Sequence, residues 1–257
     1  MNITVHLTEC VRNNIPVSFS KYGDGEFNCM MYQRGRNCDR DTYTEKLSNA
    51  LNNSFVHLVE NMPHNAYIGL WHNLENKQKL EKKTSTIINW ASYHTIIFDK
   101  KDDETKAILY KAIKQSKLKK IIICNQLLIK SQVLLDIDDV IFVPFNNWFD
   151  SGFDHILQQV KEKIGTDGNH IVLTCCGMSA KVLICELVKS FPHGIYLDFG
   201  SALDTICTKR DSRGSKFGYE YYIHLLKDCL PDNWEDDKYM ALYSQANQKL
   251  GVHLGLP

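Results

Sequence analysis

The stretch HIVLTCCGMSAKVLICELVKSFPHGIYLDF, residues 170–199, spells out one whole structural unit. HIVLTCC (170–176) is almost continuously apolar and ends at Gly177. Apolar residues then fall at Ala180, Leu183, Ile184, Leu187, Val188 and Phe191, the spacing of a helix with one buried face. A second apolar run, GIYLDF (194–199), follows. Strand, helix and strand make a βαβ unit. Strands apolar on both faces belong to a parallel sheet covered by helices on both sides.

The same alternation runs along the chain. PVSFSKY (16–22), AYIGLW (66–71), HTIIFD (94–99), KKIIICN (119–125) and DVIFVPF (139–145) read as further strands. Helical spacing covers about 42–62, about 103–116 and 153–164. The charge run NKQKLEKK (76–83) reads as a solvated face. No repeat, low-complexity segment or Pro/Gly/Ser linker interrupts the pattern. The expected fold class is α/β: a single Rossmann-like domain over 1–257, with a mostly parallel sheet flanked by helices and a helical C-terminal segment from about 217.

Composition removes several function classes. The 257 residues carry 30 Lys plus Arg and 30 Asp plus Glu, so the basic surplus of a non-specific nucleic-acid binder is missing. No secretory signal opens the chain, and no apolar run approaches the ~20 residues that span a bilayer. The nine cysteines form no C-x-x-C pair and read as reduced, buried thiols of a cytoplasmic protein. No H-x-x-x-H or H-E-x-x-H pattern supports zinc hydrolysis. The oligomeric state is open, a homo-oligomer included.

In an open parallel sheet, ligands bind beyond the carboxyl ends of the strands. Three such ends carry unusual chemistry. The first is Lys21-Tyr22-Gly23-Asp24-Gly25-Glu26. Its two carboxylates can face one hard cation, Mn²⁺ or Mg²⁺, which takes one or two protein carboxylates and leaves room for phosphate oxygens. They can equally serve a turn that feeds a helix, with Asp24 as N-cap. The second is Gly177-Met178-Ser179-Ala180-Lys181, where a strand runs into a helix start that can bind an anion, with Ser179 and Lys181 as extra donors. A tight turn capped by Ser179 is the plainer account. The third is Asp198 to Lys216, where Asp198 and Asp204 precede Lys209, Arg210, Arg213 and Lys216 in a glycine-bearing loop suited to a diphosphate. One fold would bring all three ends to one sheet edge, and together they describe a nucleotide-diphosphate site.

These residues resemble the GT-D type glycosyltransferases, whose first studied members are bacterial glucosyltransferases that extend glycans on serine-rich adhesins. The likeness lies in KYGDGEF, CCGMSAKVLICEL and GIYLDFGSALD. It implies a Rossmann-like domain, a nucleotide-sugar donor (read as a UDP-sugar), a glycan or glycoprotein acceptor, and a divalent metal at Asp24 and Glu26. It further implies donor contacts at Lys21, Tyr22, Gly23, Gly177, Met178, Ser179, Lys181 and Ser201. The sequence departs from the family pattern at Lys21 (usually arginine), Tyr22 (phenylalanine), Met178 (proline) and Ser201 (histidine). Lysine keeps the charge of arginine but loses its bidentate fork.

The expected reaction is sugar transfer to an acceptor hydroxyl, with Asp198 and Asp204 as catalytic candidates, contacting the sugar or acting as general base, and Arg213 and Lys216 sharing the diphosphate charge. A metal-dependent phosphohydrolase, a nucleotidyltransferase or a non-catalytic sugar-nucleotide-binding module would use the same groups. Two further segments are weaker candidates. In PFNNWFDSGFDHI (144–156), Trp148 and Phe149 can stack on a sugar or base, or fill the core, and Asp150 or Ser151 can cap a helix. Trp71-His72-Asn73 is a candidate for the acceptor side.

Overall fold

The computed structural model describes residues 2–62, 65–71, 73–166, 168–210 and 218–234. Its strands are β1 (Val17–Tyr22), β2 (Ala66–Leu70), β3 (Asn89–Ser92), β4 (Lys119–Cys124), β5 (Asp139–Phe142), β6 (His170–Cys175) and β7 (Ile195–Asp198). They form one sheet in the order β3-β2-β1-β7-β6-β4-β5, and every pairing is parallel. The helices are α1 (Ile3–Asn13), α2 (Asp24–Met30), α3 (Glu45–Asn61), α4 (Leu74–Glu81), α5 (Asp103–Gln115), α6 (Ser131–Leu135), α7 (Phe149–Ile164), α8 (Ser179–Ser190), α9 (Asp204–Thr208) and α10 (Tyr219–Leu226).

The sheet separates two cores. Leu51, Phe55, Val160, Leu183 and Leu187 of α3, α7 and α8 fill one. Leu7, Leu109, Ile113, Leu134 and Leu226 of α1, α5, α6 and α10 fill the other. Connections that step towards β3 pass through the first layer, and those that step towards β5 through the second, as a single crossover hand requires. Every residue of β1 and β6 is buried, which explains their unbroken apolar runs. Removing one such core leucine to alanine costs about 2–5 kcal/mol.

Two readings change. HTIIFD (94–99) is no strand; the edge strand β3 lies just before it, at Asn89–Ser92. Ile96 and Phe98 bury in the second core, but their backbone is held by side chains instead of a ladder. The Ile97 carbonyl accepts from Lys106 Nζ at 2.8 Å, and the Asp99 and Lys100 amides donate to Asp103 at 3.0 and 2.8 Å. An apolar run is thus a buried plug, which periodicity does not distinguish from a strand. Helix α1 escapes the sequence reading. It is set by Asn2, whose side chain accepts from the Thr4 and Val5 amides, and by Leu7, Cys10 and Val11 on its buried side.

Of the expected C-terminal helical segment, α10 lies within the described residues, and 235–257 lie outside them. Eight of the nine cysteines are buried free thiols and Cys38 is exposed. Among the described residues, no helix is long and apolar enough to cross a membrane.

Candidate active site

The carboxyl ends of β1, β7 and β6 lie side by side, and four charged groups meet beyond them. The Lys21 amide donates to Asp198 Oδ2 at 3.0 Å, and Lys21 Nζ donates to the Phe199 carbonyl at 2.7 Å while lying 5.1 Å from the Tyr93 ring centre. Lys181, in the first turn of α8, pairs with Glu26 Oε1 at 2.7 Å and Asp198 Oδ2 at 3.1 Å. Glu26 turns back over the start of α2, where its Oε2 accepts from the Gly23 amide at 2.9 Å. That bond answers one of the orphan donors at the helix start. Exposure of Lys21, Glu26, Lys181 and Asp198 is 1%, 8%, 3% and 0%, so this is a buried, charge-balanced quartet.

Burial opposes every charge in it, and the partners decide which survive. For Glu26 burial favours the neutral acid, but the Lys181 ammonium and the Gly23 amide outweigh it and hold the carboxyl below its ordinary range. For Lys181 burial again disfavours the charge, and Asp198 and Glu26 together push its pKa well up. Lys21 differs. Burial prevails, Asp198 answers it only in part, and the Lys181 charge adds to the burden, so Lys21 falls to about 8. Asp198 Oδ1 is buried with no hydrogen-bond partner among the described residues.

Two glycines shape this edge. Gly200 has φ +52°, and a β-carbon there would collide with Lys21 Nζ. Gly177 has φ +69°, and a β-carbon would come 2.8 Å from Asp41 Oδ2. Only glycine takes such left-handed angles at no steric cost. Asp41 itself is absent from the sequence-based site. Its Oδ1 accepts from the Asn147 amide at 2.8 Å, its Oδ2 from Asn37 Nδ2 at 3.2 Å, and the Met178 amide also bonds it. Burial pushes its carboxyl up against these donors. Asp41 thus lies against the turn that enters α8, bonded by the Met178 amide at its N-cap.

The expected site residues divide accordingly. Lys21, Gly23, Glu26, Lys181 and Asp198 form one network. Gly177, Ser201 and Asp204 line the narrow cleft beside it, together with Asn125 and the exposed Phe145. Asp24 is exposed on the first turn of α2, with Gly23, not Asp24, as the N-cap. Two residues apart on a helix, Asp24 and Glu26 point about 200° from one another. Tyr22 alternates to the far face of β1 and packs edge-on against Phe55 at 5.3 Å. Met178 and Ser179 are buried, and neither caps α8 through its side chain. Arg213 and Lys216 lie outside the described residues, as does His72.

The stacking role for Trp148 and Phe149 gives way to packing. They are 3% and 6% exposed in the first core, and the Trp148 indole donates to the Cys176 carbonyl at 3.3 Å. Helix α7 starts at Phe149, so neither Asp150 nor Ser151 is its N-cap.

A larger cavity of about 640 Å³ opens beside the cleft, over β1 to β3, and includes Asp24, Arg36, Asp39, Trp71, Tyr93 and His94 in its wall. The two share Glu26, Asp39, Tyr93 and Ser201. Tyr93 and His94 went unnoticed in the sequence because His94 opens the run misread as a strand and Tyr93 directly precedes it. Among the described residues no cluster of three or more His, Cys, Asp or Glu is arranged to hold a metal ion.

A parallel α/β sheet with its charged groups collected at the carboxyl edge is a Rossmann-like architecture of the ligand-binding kind. Specifically, the chain has the distinct glycosyltransferase fold of the domain of unknown function 1792. It is similar to the solved structure of a new glycosyltransferase with this domain from Streptococcus sanguinis, with a TM-score of 0.57 and 20% identity over 92% of this chain and 95% of that one. It is similar also to the structure described as showing that this highly conserved domain has a distinct glycosyltransferase fold, with a TM-score of 0.54 and 17% identity over 85% and 90% of the two chains. A selenomethionine-substituted structure of the domain gives a TM-score of 0.54 at 16% identity over the same shares. No family model and no curated protein matches the sequence. At these identities the likeness is one of fold.

Proposed function

We propose that this chain is a glycosyltransferase that moves a sugar from a nucleotide-diphosphate donor, a UDP-sugar, to a hydroxyl of a glycan or glycoprotein acceptor. The observation that carries this reading is the pair of buried lysines, Lys21 and Lys181, held by Asp198 at the carboxyl edge of a glycosyltransferase fold. In such a reaction the bond from the sugar's anomeric carbon to the diphosphate oxygen breaks, and its electron pair leaves with the diphosphate. The acceptor oxygen forms the new bond and loses its proton to a base. Charge therefore builds on the diphosphate, and preorganised cations in a dry site stabilise it most.

Lys21 and Lys181 would meet that charge. Asp198 holds both lysines through Oδ2, accepting from the Lys21 amide and the Lys181 ammonium, and so fixes them behind the cleft. Asp204, at the start of α9 and in the wall of the cleft, would take the acceptor proton.

A divalent cation, Mn²⁺ or Mg²⁺, fits the donor type present: the exposed Asp24 carboxylate stands in the wall of the cavity, with Asp39 in the same wall. Asp24 would hold it from the cavity wall, whereas Glu26, turned about 200° away on α2 and paired with Lys181 through Oε1, would have to leave that lysine to join it. When bound, the ion would supply further stabilisation of the leaving diphosphate.

A screen of nucleotide-sugar hydrolysis, with and without Mn²⁺, tests the reading on the whole chain. Sugar release from at least one donor, lost in Lys181→Ala, is the expected result. Turnover of simple phosphate esters without turnover of any nucleotide sugar would overturn it in favour of a phosphohydrolase. Undiminished metal-dependent turnover in the Asp24→Ala, Glu26→Ala double variant would remove those two residues as the metal site.

A further inference from the structure

The larger cavity has an aromatic wall that the donor chemistry leaves unused. Trp71 follows β2, and Tyr93 and His94 follow β3. The three rings meet edge to face, with centres 5.6 Å apart for Trp71 and Tyr93, 5.0 Å for Trp71 and His94, and 5.7 Å for Tyr93 and His94. Edge contacts of this kind brace the indole and leave a ring face uncovered. Trp71 is 46% exposed even so. A braced, half-open indole beside a cavity of ligand size is the makings of a binding surface.

The charges indicate what binds. Asp24 and Asp39 stand in this wall against Arg36, and Asp99 is tied to Lys106. This wall sets a single permanent cation, Arg36, among Asp24, Glu26, Asp39 and Asp99, and so suits a diphosphate less than the neighbouring cleft, where Lys21 and Lys181 stand against Glu26, Asp39 and Asp204. A neutral, hydroxyl-rich ligand suits it instead. A pyranose has an apolar C–H face and a rim of hydroxyls, which match an indole face edged by carboxylate and guanidinium groups.

We propose that the cavity over β1 to β3 binds a pyranose unit of the acceptor glycan, with Trp71 as its stacking platform and Arg36 and Asp39 bonding its hydroxyls. The assignment to an acceptor rests on the glycosyltransferase reading above. The walls shared by cavity and cleft, Glu26, Asp39, Tyr93 and Ser201, would set the acceptor hydroxyl against the donor sugar.

Saturation-transfer NMR on the whole chain with methyl glycosides of glucose, galactose and N-acetylglucosamine tests the proposal, because the signal is read from the ligand and not from the tryptophan. At least one glycoside is expected to bind in the millimolar range. Trp71→Ala should weaken it by about tenfold or more, the loss typical of removing a central aromatic anchor. Trp71→Phe, which keeps a ring and guards against a folding failure, should retain most of the binding. The proposal falls if no glycoside binds, if Trp71→Ala binds as well as the wild type, or if Trp71→Ala abolishes donor hydrolysis, which would give the cavity to the donor. Glycoside binding through Trp71 in a chain that hydrolyses no nucleotide sugar would keep the sugar site and remove the enzyme reading alone.

Discussion

Replacing Lys181 with methionine separates the two things this lysine does, holding the fold and holding charge for a ligand. Its ammonium is the direct partner of both Glu26 and Asp198, at 2.7 and 3.1 Å. Those carboxylates are 8% and 0% exposed, so water does not replace the lost partner. Breaking a buried pair by removing one member costs about 3–5 kcal/mol, most of it the uncompensated charge left behind. In a chain of 257 residues the unfolding entropy is about 0.5 kcal/mol/K, so the melting temperature should fall by about 6–9 °C.

The loss should also depend on pH. Glu26 in the wild type has a lowered folded pKa, so its pairing stabilises fully above the ordinary value of 4.5 and fades as pH falls through the folded value. Without Lys181, burial acts on Glu26 against its backbone hydrogen bonds alone, chiefly that from the Gly23 amide, and its folded pKa rises. The deficit of the variant is then largest at neutral pH and shrinks as pH drops towards 4.5. Urea unfolding of both proteins at pH 7 and pH 5 measures it. A deficit below about 1 kcal/mol at neutral pH, the size of a surface pair, would refute a buried quartet, as would a deficit that does not change with pH. Adding Glu26→Gln to the variant should restore part of the loss, since the unpaired charge goes with it.

Three further outcomes are expected. Lys21 loses its proton near pH 8, so donor hydrolysis should decline as pH rises through about 8, and Lys21→Arg, whose charge does not titrate there, should remove that decline in a pH–rate profile. Gly200→Ala should destabilise by about 1–2 kcal/mol from the left-handed backbone alone, and also displace Lys21 Nζ from the Phe199 carbonyl, so thermal unfolding and turnover should both drop. Mn²⁺ at a hundred times its dissociation constant should stabilise the wild type by about 2.7 kcal/mol, a gain read as a thermal shift that Asp24→Asn should reduce.

The layered fold was legible because its signal is local. The buried runs of β1, β4, β6 and β7 and the three-to-four-residue spacing in α3, α5, α7 and α8 are set by neighbours within a turn or two of chain. The same locality explains the failures. HTIIFD has the composition of a strand, but its carbonyl at Ile97 is claimed by Lys106, a contact that no short window contains. Trp148 and Phe149 read as ligand platforms or as core from the sequence, and the tertiary structure puts them in the core.

The site shows the same division. By itself the sequence determined which chemistry is available: acids and lysines directly after β1, β6 and β7, where a parallel sheet leaves its ligand edge. It did not determine who partners whom. Asp24 and Glu26 look like a pair in the chain, but a helix turns residues two apart away from each other, and Glu26 finds Lys181 instead. Asp41 joins the entrance to α8 through contacts from Asn37, Asn147 and Met178. Tyr93 and His94 join Trp71 only because β3 lies beside β2. Ion pairs, caps and ring contacts act over a few ångströms of space. Which residues come that close is decided by the order of strands in the sheet, and that order exists only in the tertiary structure.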